Sequence, residues 1–240
     1  MSESERRVQT GEGAMTVFTV HPDDDGPFPV AVLYIDAPGY RGAVKDHARR
    51  FAADGYYVVM PDLFYRGGEK LTMDGEGQER IFELVRSLTP EKIEADTRAA
   101  LDAVAADPAA SAGPKVCVGY CMGAKFALHA AAVLPDMVAA AGAHPGALAT
   151  DEPDSPHLEL PQVRAELYYA FAENDQSATP ESVERFRRAI ADAGVYGEVE
   201  RLPGTSHGFA LADRPVYDRD ASERHFEKTL DLWRRALSSS

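Results

Sequence analysis

Lys115-Val116-Cys117-Val118-Gly119-Tyr120-Cys121-Met122-Gly123-Ala124-Lys125-Phe126-Ala127-Leu128-His129-Ala130-Ala131-Ala132 decides the reading of this chain. The stretch opens on an apolar, strand-forming run and closes on a helix-forming one. Between them stands Gly119-Tyr120-Cys121-Met122-Gly123, a G-x-C-x-G pentapeptide. A sharp strand-to-helix turn of this kind lifts its central side chain out of the sheet. Its glycines are required because a Cβ there would collide with the turn or the neighbouring strand. The helix N-terminus behind the sulfur favours the thiolate, the reactive form of cysteine. The pattern is a nucleophile elbow with cysteine in the central position, and Cys121 is the candidate nucleophile. A cysteine at a strand end is more often a small buried hydrophobe; Cys117, earlier on the same strand, fits that description.

Such an elbow needs an acid and then a histidine further along the chain. Residues 167–172 read as a strand, and Glu173-Asn174-Asp175 is its exit loop. Gly204-Thr205-Ser206-His207-Gly208-Phe209 forms a loop ahead of a helical stretch at 222–237. His207 is therefore the candidate general base and acid, and Asp175 the candidate group that orients its imidazole. Glu173 is the rival acid. The backbone N–H groups expected to stabilise an oxyanion are those of Met122, directly after the nucleophile, and of Ala37, in the loop after an early strand.

Outward from the elbow, strands are expected at 15–20, 30–35, 56–60, 137–143 and 197–202, the first of them at a sheet edge. Helices are expected at 44–54, 78–87, 90–106 and 180–193, the third opened by Thr89 as N-cap and Pro90 at its first position. Alternation of strands with helices predicts an α/β fold, with a mostly parallel sheet, helices on both faces and a site beyond the carboxyl ends of the strands. Asp36, Cys121, His144, Asp175 and His207 all fall at such ends. Residues 1–13 read as a flexible N-terminus and 14–240 as a single domain with no large cap. The stretch 147–162, rich in Pro, Asp and Glu, reads as a surface loop able to act as a short lid.

Composition narrows the function classes. The chain has 240 residues, 45% hydrophobic and 27% charged, which suits one soluble domain with a full core. A net charge of −14 argues against nucleic acid or an anionic membrane as partner. The two cysteines, on one strand and its exit turn, are badly placed for a disulfide. No His/Cys/Asp/Glu cluster has metal-ligand spacing, so neither metal nor cofactor is expected. Met1-Ser2-Glu3-Ser4-Glu5-Arg6-Arg7 lacks an apolar signal core, and no apolar run is long enough to span a bilayer. These features predict a cytoplasmic protein, and a monomer or weak homodimer acting on a small molecule is expected.

Five segments carry a resemblance: Gly119-Tyr120-Cys121-Met122-Gly123, the Asp175 loop after Phe171-Ala172, Ser206-His207-Gly208-Phe209, Ile35-Asp36-Ala37-Pro38-Gly39, and Gly55-Tyr56-Tyr57-Val58-Val59-Met60-Pro61-Asp62-Leu63-Phe64. Through them the chain resembles the dienelactone hydrolase (carboxymethylenebutenolidase-like) family of the α/β-hydrolases. The resemblance implies the α/β-hydrolase fold and cofactor-free hydrolysis of an ester or lactone through an acyl-cysteine on Cys121. There are departures. The family's founding enzymes carry a glutamate after the early strand that touches the resting cysteine; here it is Asp36, which either tunes the thiol or caps the turn before Pro38. They hold the dienelactone carboxylate with two arginines. Arg80 lies close to one of these positions, but Leu211 stands at the other, and leucine cannot bind a carboxylate. The clamp is incomplete, which argues against dienelactone itself as substrate. Tyr40, Tyr65, Arg66, Arg80 and His144 are candidate substrate-binding residues, each with an ordinary packed or solvated role as the alternative. The same triad would also serve a thioesterase or acyltransferase. A redox-sensing or binding protein on this fold is the non-catalytic alternative.

Overall fold

The structure, a computed structural model, describes residues 1–68 and 75–239. Ser2–Thr10 (β1) and Gly13–His21 (β2) pair antiparallel along their whole length, Ser2 opposite His21 and Thr10 opposite Gly13. This corrects the expectation of a flexible 1–13, and it moves the sheet edge from β2 to β1. The reason is visible in the side chains. Glu3, Glu5 and Arg6 are anchored by Arg49, Lys45 and Asp107 respectively. Charge that reads as disorder in a linear sequence is here the charged margin of a sheet, which also discourages edge-to-edge pairing.

The chain divides into two compact units, Met1–Gly113 and Pro114–Ser240. In the first, Val30–Tyr34 (β3) and Tyr57–Pro61 (β4) flank helix Gly42–Ala53 (α1), and both strands are buried at every residue. Unbroken apolar runs of this kind are what strands covered on both faces require. β4 runs parallel to β3 and antiparallel to β2. Gly75–Ser87 (α2) and Pro90–Asp102 (α3) follow. The Thr89 side chain caps α3 by accepting the Lys92 N–H, with Pro90 at the first position, as the sequence predicts. Met15, Val17, Val30, Tyr57 and Val59 pack with Ala100 and Val104, placing α3 on one face. The alternate residues Phe18, Val58 and Met60 are buried on the other face, that of α1.

The second unit contains Lys115–Tyr120 (β5), Gly123–Val133 (α4), Met137–Ala143 (β6), Glu166–Asn174 (β7), Pro180–Asp192 (α5), Gly197–Ser206 (β8) and Arg219–Ser238 (α6). Its strands pair in the order β5-β6-β7-β8, all parallel. Neighbouring residues of β7 show which helix lies on which face. Tyr169 donates its hydroxyl to the Ala124 carbonyl of α4 and sets its ring edge-on to Phe186 of α5. Tyr168 points the opposite way and stacks on His225 of α6. Gly142 lets α4 approach closely: a Cβ there would stand 2.8 Å from the Ala124 methyl. The stretch 147–162 is anchored at several points, with 151–154 exposed between them. Leu148 and Ala149 are buried, and the 3-10 turn Pro156–Gln162 drives Leu160 into the core and lies against α4. No large cap domain interrupts the described elements.

Candidate active site

β5 ends at Tyr120, and α4 begins at Gly123. Between them Cys121 takes φ 55°, a left-handed conformation rare for a side chain other than glycine. Its N–H donates to the Ala143 carbonyl of β6 at 3.0 Å, and its own carbonyl accepts the Ala124 N–H at 3.2 Å. A Cβ on Gly119 would fall 2.0 Å from the Gly123 carbonyl oxygen, so glycine is obligatory there. The turn leaves Cys121 half-exposed. Cys117 is fully buried, points its thiol at the Ala127 carbonyl, and has its pKa pushed well up by burial; it is the inert cysteine.

The second unit brings the three expected residues together. His207 Nε2 lies 3.0 Å from the Cys121 sulfur, and His207 Nδ1 lies 2.6 Å from Asp175 Oδ2. The other Asp175 oxygen accepts the Ser177 N–H at 2.8 Å and the Ser177 hydroxyl at 2.6 Å. Burial alone would lower the His207 pKa, but the Asp175 carboxylate and the Cys121 sulfur outweigh it and push it up to about 10. Asp175 is buried too, which by itself raises its pKa; the contacts with His207 and Ser177 prevail and hold it below the usual carboxylate range. The rival Glu173 is occupied elsewhere, accepting the Gly204 N–H at 2.8 Å.

The model of the dienelactone hydrolase family matches residues 15–237. The chain belongs to the dienelactone hydrolase family. It is 26% identical over 217 residues to the "Putative carboxymethylenebutenolidase" of Escherichia coli K12, covering 88% of this chain and 78% of that one. It is 27% identical over 231 residues to the protein of the same name from Yersinia pestis, covering 93% of this chain and 82% of that one. A crystal structure named as that of a "Putative Dienelactone Hydrolase" from Klebsiella pneumoniae superposes with TM-score 0.88 at 21% identity, over 97% of this chain and 98% of the other. This chain is thus a carboxylic ester hydrolase of the ester and lactone type, on the α/β-hydrolase fold.

Other family positions are differently filled. Leu211, where the resemblance places an arginine, is fully buried. Met122, at the N-cap of α4, has helical angles of −60° and −34° and directly follows Cys121. His144, a candidate for substrate binding, is completely buried. Its ring stands 5.3 Å from that of His207 and 5.3 Å from that of Phe209. The sequence reading missed Ser177; its signal was Asp175-x-Ser177, a local side-chain to backbone turn.

The remaining candidates lie in the first unit. Asp36 is buried and gripped by the Arg41 guanidinium on both oxygens, while its carbonyl accepts the Gly39 N–H at 2.9 Å. Ala37 sits inside that turn. Tyr40 donates to Glu5 at 2.9 Å and carries the Lys45 ammonium over its ring. Tyr65 donates to Asp96 at 3.0 Å and meets the Thr10 hydroxyl at 2.7 Å. Arg66 forks onto the buried Asp96 at 2.7 and 3.0 Å and reaches Glu12 at 2.6 Å. The polar atoms of Tyr40, Tyr65 and Arg66 thus tie α1, α3 and the β1–β2 hairpin together. Arg80 is exposed on α2, beside Arg66, Gly67 and Glu83.

Proposed function

We propose that this family member cleaves its ester or lactone through an acyl-cysteine intermediate, with Cys121 as nucleophile, His207 as general base and acid, and Asp175 orienting the imidazole. The observation that carries this reading is the continuous contact from Asp175 through His207 to the Cys121 sulfur. His207, favoured as imidazolium, stands against the sulfur, and a cation in that place favours the thiolate as the attacking form. The thiolate attacks the carbonyl carbon, and the Met122 N–H stabilises the resulting oxyanion. On sequence grounds the second donor is the Ala37 N–H, in the turn that Asp36 fixes through Arg41. As the intermediate collapses, His207 gives its proton to the leaving oxygen. It then takes a proton from water, which attacks the thioester and releases the acid with the free thiolate.

Thiolate leaves more readily than alkoxide, so a tetrahedral intermediate on Cys121 tends to collapse backward. Activated esters, enol lactones and thioesters are therefore the better substrates, and amides poor ones. Residues 14–240 act together as one catalytic domain in this reading. A cytoplasmic setting suits a thiol nucleophile, and among the described residues no helix is long and apolar enough to cross a membrane.

Stopped-flow hydrolysis of p-nitrophenyl acetate by wild type and Cys121→Ala tests the proposal. A burst followed by steady turnover, both lost in the variant, is expected. A burst without turnover would instead indicate acyl transfer to another acceptor, and undiminished activity in the variant would overturn the nucleophile assignment.

A further inference from the structure

The end of β6 turns sharply under His207. His144 and Ala147 both adopt left-handed angles, φ 39° and 52°, two non-glycine residues within four. Strain of this kind persists only where the surroundings enforce it, and it concentrates at functional sites. The enforcement is visible. The His144 N–H donates to the Ala170 carbonyl at 2.8 Å, and the Ala147 N–H donates to the Ser177 carbonyl at 2.8 Å. A Cβ on Gly146 would stand 2.5 Å from Ser177 Oγ and 3.8 Å from His207 Cε1. The turn therefore passes close beside the His207 ring and the serine that holds Asp175.

His144 is the side chain this turn places under the imidazole. It is completely buried, its ring is 5.3 Å from that of His207 at 65°, and Phe209 stands edge-on to it at 5.3 Å and 82°. Edge-to-face rings at this separation attract and fix each other's orientation.

We propose that His144 is a positioning residue: its buried ring holds the His207 imidazole in the one orientation that joins Asp175 to Cys121. This rests on the reading of His207 as the catalytic base. His144 faces His207 and, on β5, Tyr120, whose ring is in turn met by His225 of α6; His207 faces Asp175 and Cys121.

His144→Asn removes the ring but suits the left-handed backbone, because asparagine tolerates that conformation. His144→Phe returns a ring without nitrogen atoms. Each variant is assayed for kcat and KM on p-nitrophenyl acetate, and for the pH dependence of Cys121 alkylation by iodoacetamide, which reads the thiolate without any turnover. The expected result for His144→Asn is a kcat lower by about tenfold or more with KM nearly unchanged. Its alkylation curve moves to higher pH as the imidazolium leaves the sulfur, and His144→Phe recovers both properties. An unmoved alkylation curve in the Asn variant, or a Phe variant no better than Asn, overturns the proposal. Because alkylation does not depend on ester cleavage, a failure here is distinguishable from a failure of the acyl-cysteine mechanism, which Cys121→Ala tests.

Discussion

Ser177 grips a single oxygen of Asp175 from two sides, its N–H at 2.8 Å and its hydroxyl at 2.6 Å from Oδ1. Oδ2 is thereby left for His207. Asp175→Asn would present the imidazole with the wrong hydrogen-bonding partner, and kcat should fall by about 10³- to 10⁴-fold. Ser177→Ala keeps the backbone donor and removes only the hydroxyl; a loss nearer tenfold is expected, as for one hydrogen bond to a charged group. Steady-state kinetics on an activated ester check the order of the two effects. Equal losses would mean that the carboxylate does not act through its hold on His207.

Glu173→Gln separates the two acids of the exit loop. Its carboxylate serves the Gly204 N–H, so kcat should stay within a few-fold of wild type. The measurable change is a small drop in stability, about 1 kcal/mol, read from urea unfolding. A kcat collapse in this variant would reassign the acid.

The His207 pKa, pushed up to about 10, fixes two pH dependences. Its folded value is raised above the ordinary one, so its contribution to stability is full below about pH 6.5 and is lost progressively as pH rises through about 10. Asp175 is lowered, so its contribution is present above the ordinary carboxylate range and is lost in acid. Thermal unfolding should show stability declining from neutral to alkaline pH, and Asp175→Asn should flatten that decline. In turnover, kcat/KM should fall near pH 10, when the imidazolium that protonates the leaving group disappears. Alkylation of Cys121 needs only the thiolate and should not fall there.

Arg66 and Asp96 form a charge pair with side chains 11% and 1% exposed. Removing one partner of such a pair strands the other in the interior, at about 3–5 kcal/mol. Arg66→Gln should therefore lower the denaturant midpoint of unfolding substantially while leaving KM for esters unchanged. A raised KM with unchanged stability would instead place Arg66 in the substrate pocket.

The sequence disclosed what is local. The elbow is legible because its glycines, strand and helix are contiguous, and β6 falls at 137–143 as expected from an unbroken run of small apolar residues. His207 and Asp175 were legible through chain order, since each leaves a strand at the expected end. What was lost depends on distant partners. The Arg66 partner, Asp96, is 30 residues away, and nothing near Arg66 announces it. The full burial of His144 is likewise not a property of its neighbours in sequence. Ser177 gains its role only once Asp175 adopts the rotamer that shows one oxygen to each neighbour.

The β1 strand bears on how this protein should be handled. The family match begins at residue 15, and trimming the gene to that boundary would delete the strand that covers β2. The uncovered backbone would run beside Val17, Phe18 and Val20, which are buried in the intact chain. An apolar edge of that kind recruits other chains. The shortened protein should thus come out of expression clumped, for a reason unrelated to its active site.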